Sequence, residues 1–218
     1  MNETVNETAT ASVARRKSSI QEHAESARPA NYDQAMTLTL KHQFLLAMPA
    51  LEDENFARTV TYVCQHDSQG ALGIIVNKPA PMRLQELLES LGLDYLRMDD
   101  PAVLLGGPVN PEHGFILHTP LAGFDLSVDL GNGLMFSTAK ELLAAIGRNE
   151  GPEKFLIALG YAGWSGGQLE TEVGQNAWLT CPASERVLFD VPLPERVREA
   201  AAGLGIDFNL IASRPGFA

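Results

Sequence analysis

Gly163-Trp164-Ser165-Gly166-Gly167 fits the G-x-S-x-G pattern, in which a serine on a sharp strand-to-helix turn presents its hydroxyl as a nucleophile. Such a serine needs an imidazole base, and in hydrolases built on this turn the histidine comes later in the chain. Here His23, His42, His66, His113 and His118 all precede Ser165. Ser165 also has a structural occupation, because Gln168 three positions on completes a capping box and the glycines permit a tight turn. The structural reading leads. The same glycines, with Gly160, could hold a phosphate on backbone amides at a helix start. Neither a P-loop nor a dinucleotide-binding glycine pattern accompanies them, so close backbone packing is the simpler account.

Cys64 and His66 stand two apart on an expected strand, which points both side chains to one face. An imidazolium beside a thiol lowers its pKa, and the resulting chemistry is that of a redox-sensing thiol or a thiol-based enzyme. The competing reading is a small buried hydrophobe. His113 and His118 have odd spacing, so they face opposite sides of a strand and cannot share a metal. No metal site or cofactor is expected. Glu52, Asp53 and Glu54 beside Asn55 read as a solvated turn rather than a catalytic carboxylate pair. Gly106-Gly107-Pro108 reads as a turn with positive backbone dihedrals. With Asn77-Lys78-Pro79, His118 and Gly163 to Gly167, it makes up the candidate binding loops, since loops on a rigid sheet are where contacts are carried. Trp164 and Trp178 suit either exposed aromatic contact or the core, and the core is the commoner place.

These groups must be positioned by elements with their own periods. Gln43 to Met48, Thr59 to Gln65 and Ala71 to Asn77 read as strands, with a hairpin at Ser68-Gln69-Gly70. Leu84, Leu87, Leu88 and Leu91 form one helical face that stops at Gly92. Val103 to Leu105, Phe115 to His118, Leu126 to Leu130 and Leu134 to Phe136 again read as strands. Thr138 with Glu141 predicts a capping box for a helix carrying Ala139, Leu142, Leu143 and Ile146 and ending at Gly147. Phe155 to Tyr161 is apolar enough to be covered on both faces and is expected at the centre of the sheet. After a short helix through Val173, Ala177 to Cys181 and Arg186 to Phe189 predict a closing pair of strands, and Pro194 opens a last helix that stops near Gly203. Hairpins mixed with strand-helix alternation predict an α+β fold with a mixed sheet flanked by helices.

The whole chain has 218 residues, 45% of them hydrophobic, enough for one full core. Residues 1–36 are polar and aperiodic and are expected to be a disordered extension, leaving 37–218 as a single domain. Sixteen basic residues against 27 acidic ones give a formal charge of −11, which repels nucleic acid and anionic lipid. No apolar run approaches the ~18 residues that cross a bilayer, and the N-terminus lacks a signal-type apolar stretch, so the cytoplasm is the expected location. Two cysteines, Cys64 and Cys181, are expected as free thiols.

Taken together, FLLAMPAL from Phe44, CQHDSQGALGIIVNKP from Cys64, LLGGPV from Leu104, GFILHTP from Gly114 and GYAGWSGGQLETE from Gly160 resemble the AlgH/YqgE family of bacterial proteins. The resemblance runs from about Leu38 to Ala202. It implies a mixed or barrel-like sheet, a bacterial cytoplasmic setting and no established catalytic residue or cofactor. One branch is named for a proposed role in transcriptional control of alginate production, although no DNA-binding motif stands here. Where the family commonly has G-P after the tryptophan this chain has Ser165-Gly166, and it ends Pro215-Gly216-Phe217-Ala218 in place of Gly-His-Ala. The first departure weakens a nucleophile at Ser165. The expectation is therefore a non-enzymatic binding or regulatory protein that contacts a protein partner or small ligand. A Cys64/His66 thiol function and direct DNA binding are the alternatives.

Overall fold

The computed structural model describes residues 39–51, 53–124 and 127–205. The extension expected over 1–36, the residue Glu52, the strand start at Leu126 and the closing residues Pro215 to Ala218 lie outside the described residues.

The elements are β1 (Gln43–Ala47), β2 (Val60–Asp67), β3 (Gly70–Ile75), β4 (Pro79–Arg83), α1 (Leu84–Ser90), β5 (Ala102–Leu105), β6 (Val109–His118), β7 (Ser127–Asp129) and β8 (Met135–Ser137). They continue with α2 (Lys140–Gly147), β9 (Phe155–Ser165), α3 (Gln168–Gly174), β10 (Trp178–Pro182) and α4 (Arg196–Ala202). The main path of the sheet is β10-β1-β2-β3-β9-β6-β8-β7, with β5 also on β9 and β4 on β5. Pairing is antiparallel except between β5 and β9. The sheet curls into a half-barrel with a few flanking helices, an α+β fold with a mixed sheet. Among the described residues no helix is long and apolar enough to cross a membrane.

β9 is the central strand, as its apolar run predicts, and it extends to Ser165. It pairs β6 through Phe155 to Tyr161, β5 through Ile157 to Leu159, and β3 through Ala162 to Ser165. Side-chain alternation lets this one strand feed three apolar cores. Ala158 joins Phe44, Tyr62, Cys64 and Leu117 inside the curl, which α4 also covers with Ala200 and Ala201. Ile157 packs with Val103, Ile116 and the inner faces of α1 and α2. Ala162 and Trp164 pack with Leu45, Val63 and Leu169 under α3.

Between these halves Gly160 takes φ +72°, and a Cβ there would lie 2.4 Å from the Gly107 carbonyl oxygen. Gly107, at φ +153°, would reciprocally strike the Tyr161 carbonyl at 2.3 Å. The two backbones interlock where β5 hands over to β6, and glycine is what lets them approach.

Three local expectations are corrected. Thr138 and Glu141 form no capping box; Ala139 is the cap residue of α2, and its N–H goes instead to the Ser137 hydroxyl at 3.1 Å. Arg186 to Phe189 is not a strand but part of one wide helical turn, Arg186–Asp190, closed by Val191 N–H on the Arg186 carbonyl at 3.0 Å. Its apolar run is too short for periodicity to separate strand from helix, and the Ser184 hydroxyl accepting from Val187 N–H starts a turn. Finally, Pro79 is not in a loop: it opens β4, an edge strand where prolines 79 and 81 remove donors that an outside strand could use.

Candidate functional site

Cys64 sits at a β-bulge. Val63 pairs Gly73 and Gln65 pairs Leu72, so Cys64 is the extra residue and the in-out alternation of β2 shifts by one. Cys64 stays with Tyr62 inside the curl, buried, its Sγ 3.8 Å from the Tyr62 carbonyl oxygen. His66, paired with Ala71, instead turns to α3 and to Leu40. The expected thiol–imidazole pair is thus not assembled, because the bulge breaks the period of two that predicted it. Burial also pushes the Cys64 thiol well above its ordinary range, the opposite of activation.

His66 Nδ1 accepts the Leu40 N–H at 2.8 Å, which leaves the ring proton of the neutral imidazole on Nε2, donating to Glu170 Oε1 at 3.1 Å. One ring therefore joins the approach to β1 with α3. His118 is buried at the far end of β6. Its Nδ1–H donates to the Thr119 carbonyl at 2.8 Å, and Nε2 accepts from the Ser127 hydroxyl at 3.1 Å. Desolvation lowers its pKa, which holds it neutral.

Ser165 ends β9, and its N–H donates to Gln168 Oε1 at 3.0 Å, the backward half of the expected capping box. The forward half is missing. Gly167 at φ +76° is the cap residue, so Gly166 and Gly167 turn the chain while Ser165 stays paired with Gly70. His118 pairs Phe155 at the opposite end of β9, ten residues or roughly 30 Å along the strand. Ser165 and His118 cannot act on one substrate. His113 is exposed and bonded to its neighbour Glu112 at 3.0 Å. Among the described residues no three His, Cys, Asp or Glu side chains gather closely enough to hold a metal.

Of the candidate loops, the structure brings two together. Leu105 N–H donates to the Lys78 carbonyl and Ile75 N–H to the Gly106 carbonyl, placing Asn77 to Pro79 beside Gly106 to Pro108. Their side chains serve the fold: Asn77 accepts from Val60 N–H at 2.8 Å and donates to the Arg58 carbonyl at 3.0 Å, while Lys78 Nζ caps the Glu54 carbonyl at 3.0 Å. Gly163 to Gly167 lies at the other end of β3, beside the Ser68 turn. Trp164 is buried in a trio with Phe56 and Trp178, ring centroids 5.4 to 6.1 Å apart. At that spacing the rings pack on each other and leave no cage for a cation. Both indole N–H groups donate to Glu172 Oε2, at 2.9 and 2.8 Å, and Gln168 Nε2 donates to Oε1 at 2.9 Å. Sequence reasoning missed Glu172, since nothing in its spacing marks one carboxylate as the acceptor for two tryptophans.

It also missed where apolar surface is exposed. Leu91, Leu96 and Met98 are 40%, 67% and 103% accessible, all within eight positions, whereas the loops singled out above expose no large hydrophobic side chain. Leu91 carried helical spacing in the sequence, but it falls at the cap of α1, past the last turn that faces the core.

Residues 44–209 match the model of a family described as AlgH-like. The chain is 47% identical over 182 residues to the UPF0301 protein AlgH of Pseudomonas aeruginosa, covering 82% of this chain and 96% of that one. It is 45% identical over 184 residues to a UPF0301 protein of Laribacter hongkongensis, covering 84% and 99%. The solution structure of the Pseudomonas aeruginosa AlgH protein is similar with a TM-score of 0.70 at 45% identity, over 86% of this chain and all of that one. A crystal structure from Corynebacterium diphtheriae shares the fold, with a TM-score of 0.60 at 19% identity over 87% and 95%.

Proposed function

The chain belongs to the AlgH-like family, and from that premise we propose that it is a non-enzymatic binding protein that works by contact with another protein. The observation that carries this reading is the outward placement of Leu91, Leu96 and Met98 within eight positions, whereas the other exposed large hydrophobics among the described residues, Val128 and Leu204, stand singly. The groups with catalytic chemistry point the same way: Cys64 lies in the apolar core, and His66 and His118 are held in internal hydrogen bonds. On this reading the contact surface lies at the end of α1 and the turn after it, not at Gly163 to Gly167. An effect on transcription would run through the partner, because a formal charge of −11 opposes direct contact with a phosphate backbone.

The test is site-specific photo-cross-linking in the cells that make the protein. A cross-linking residue at position 98 should yield a discrete adduct, and one at position 165 should not. Adducts at 165 alone, or at neither position, would remove the reading.

A further inference from the structure

We propose that the face formed by α1 and the segment Leu91 to Asp100 docks a cationic amphipathic segment of a protein partner. The inference rests on the binding reading above and adds the chemistry of what is bound.

The segment is held in a shape that presents side chains outward. Gly92 at φ +66° reverses the chain after α1, and from there inward and outward positions alternate. Leu93 and Tyr95 pack into the core under α1 and α2. Arg97 lays its guanidinium 5.1 Å over the Phe155 ring and donates to the Ile146 carbonyl and to Asn149 Oδ1. Leu96 N–H donates to the Gly147 carbonyl at 2.8 Å. With these positions anchored, Asp94, Leu96 and Met98 face solvent from a fixed backbone, which reduces the ordering cost of binding. Met98 adds a flexible thioether that adapts to a partner's shape.

The segment itself is acidic, and the one cation that reaches it from α2, Lys140, has its Nζ on the Leu91 carbonyl at 3.3 Å. From Leu84 to Asp100 there are five acidic residues, Glu86, Glu89, Asp94, Asp99 and Asp100, and one basic residue, Arg97. Arg97 already pairs with Asp99, and Arg83 from β4 pairs with Asp100. Glu86, Glu89 and Asp94 have no ion pair among the described residues.

An occupant must therefore be apolar at its centre and positive at its edges. A second copy meeting the first face to face would set two such acidic segments against each other, and nucleic acid or anionic lipid would be repelled in the same way. A helix with leucine-type side chains on one face and Lys or Arg beside them satisfies both requirements.

The probe is a synthetic helical peptide with a leucine face flanked by lysines, compared with the same pattern flanked by glutamates, titrated into the full chain by fluorescence anisotropy. The lysine peptide should bind saturably and the glutamate peptide should not. Replacing Glu86→Gln, Glu89→Gln and Asp94→Asn together should weaken binding about tenfold, as should Leu96→Ser with Met98→Ser. Removing the same charge elsewhere, with Glu54→Gln, Glu112→Gln and Glu153→Gln, should change it less than about twofold. Equal weakening by both neutralised sets would reduce the effect to bulk charge and overturn the proposal, as would absence of saturable binding. Sedimentation showing a dimer that Met98→Ser abolishes would assign the face to a second copy and overturn it too. If position 98 still cross-links a protein in cells while the lysine peptide fails, the binding reading stands and the cationic partner falls.

Discussion

His66 and Glu170 lie 104 positions apart in the sequence and meet at 3.1 Å, ring Nε2–H to carboxylate oxygen. The contact bolts α3 to the β2–β3 hairpin, and it explains why a histidine two residues from a cysteine does nothing to that cysteine. The imidazole is committed to one side of the sheet while the thiol is sealed on the other.

The thiols should accordingly be silent in the native protein. Burial raises Cys64 and carries Cys181 up to about 11, so neither supplies thiolate near neutral pH, and Cys64 is also closed to solvent. Iodoacetamide at pH 8 should label neither residue in the folded chain and both in denaturant, read by intact mass. Rapid native labelling at Cys64 would restore the thiol hypothesis.

Glu172, half-buried on α3, is expected to be sensitive to substitution. Glu172→Ala deprives Trp164 and Trp178 of their shared acceptor and leaves two indole donors in a largely buried aromatic cluster. Each unsatisfied donor costs about 1–3 kcal/mol, so with two donors the variant should lose about 2–6 kcal/mol by urea denaturation. Glu172→Gln retains an acceptor oxygen and should lose less. A loss below about 0.5 kcal/mol for the alanine variant would mean that the indoles find water instead.

Much of this fold is legible in the residues because period and burial coincide. Phe155 to Tyr161 is apolar without alternation, and β9 is covered on both faces; Leu84, Leu87 and Leu88 repeat at helical spacing, and α1 buries those three side chains. Glycine pairs that announce turns do mark the Gly107–Gly160 crossing, although nothing local says that the two glycines touch each other. What sequence cannot display is register. The bulge at Cys64 reverses which face His66 uses, and a bulge is a property of two strands together, so the Cys64–His66 expectation fails for a non-local reason. Exposure has the same difficulty. Leu91 reads as part of the helical face with Leu84, Leu87 and Leu88, and only the place where α1 stops turns it outward.

Two histidines, the buried His118 and the half-buried His42, set the last expectation, a loss of stability between pH 7.5 and 5.5. His118 is desolvated, and its pKa is lowered despite the opposing hydrogen bond to Thr119; His42 is lowered first by burial and then by Lys41, against a bond to the Leu130 carbonyl. Unfolded histidine titrates near ~6.5, so as pH falls below that value the unfolded chain takes up protons that the folded chain refuses. The sign follows: stability from these groups is present above ~6.5 and declines as pH drops toward their folded values. Protonation has a structural meaning at both sites. Tyr62 accepts from Asn132 Nδ2 at 3.1 Å and so donates to His42 Nδ1 at 2.9 Å, while Ser127 donates to His118 Nε2; an imidazolium has no lone pair for either donor. Carboxylates with depressed values, such as Asp67 and Asp99, act below this window, because their stability is lost only as pH falls through lower values. Calorimetry should show the melting temperature falling from pH 7.5 to 5.5, and His118→Asn should lower it at pH 7.5 while flattening the fall, with the remaining slope belonging to His42. A wild-type melting temperature unchanged across the window, or a slope identical in the variant, would show that His118 stays neutral for no energetic consequence and that the linkage is absent.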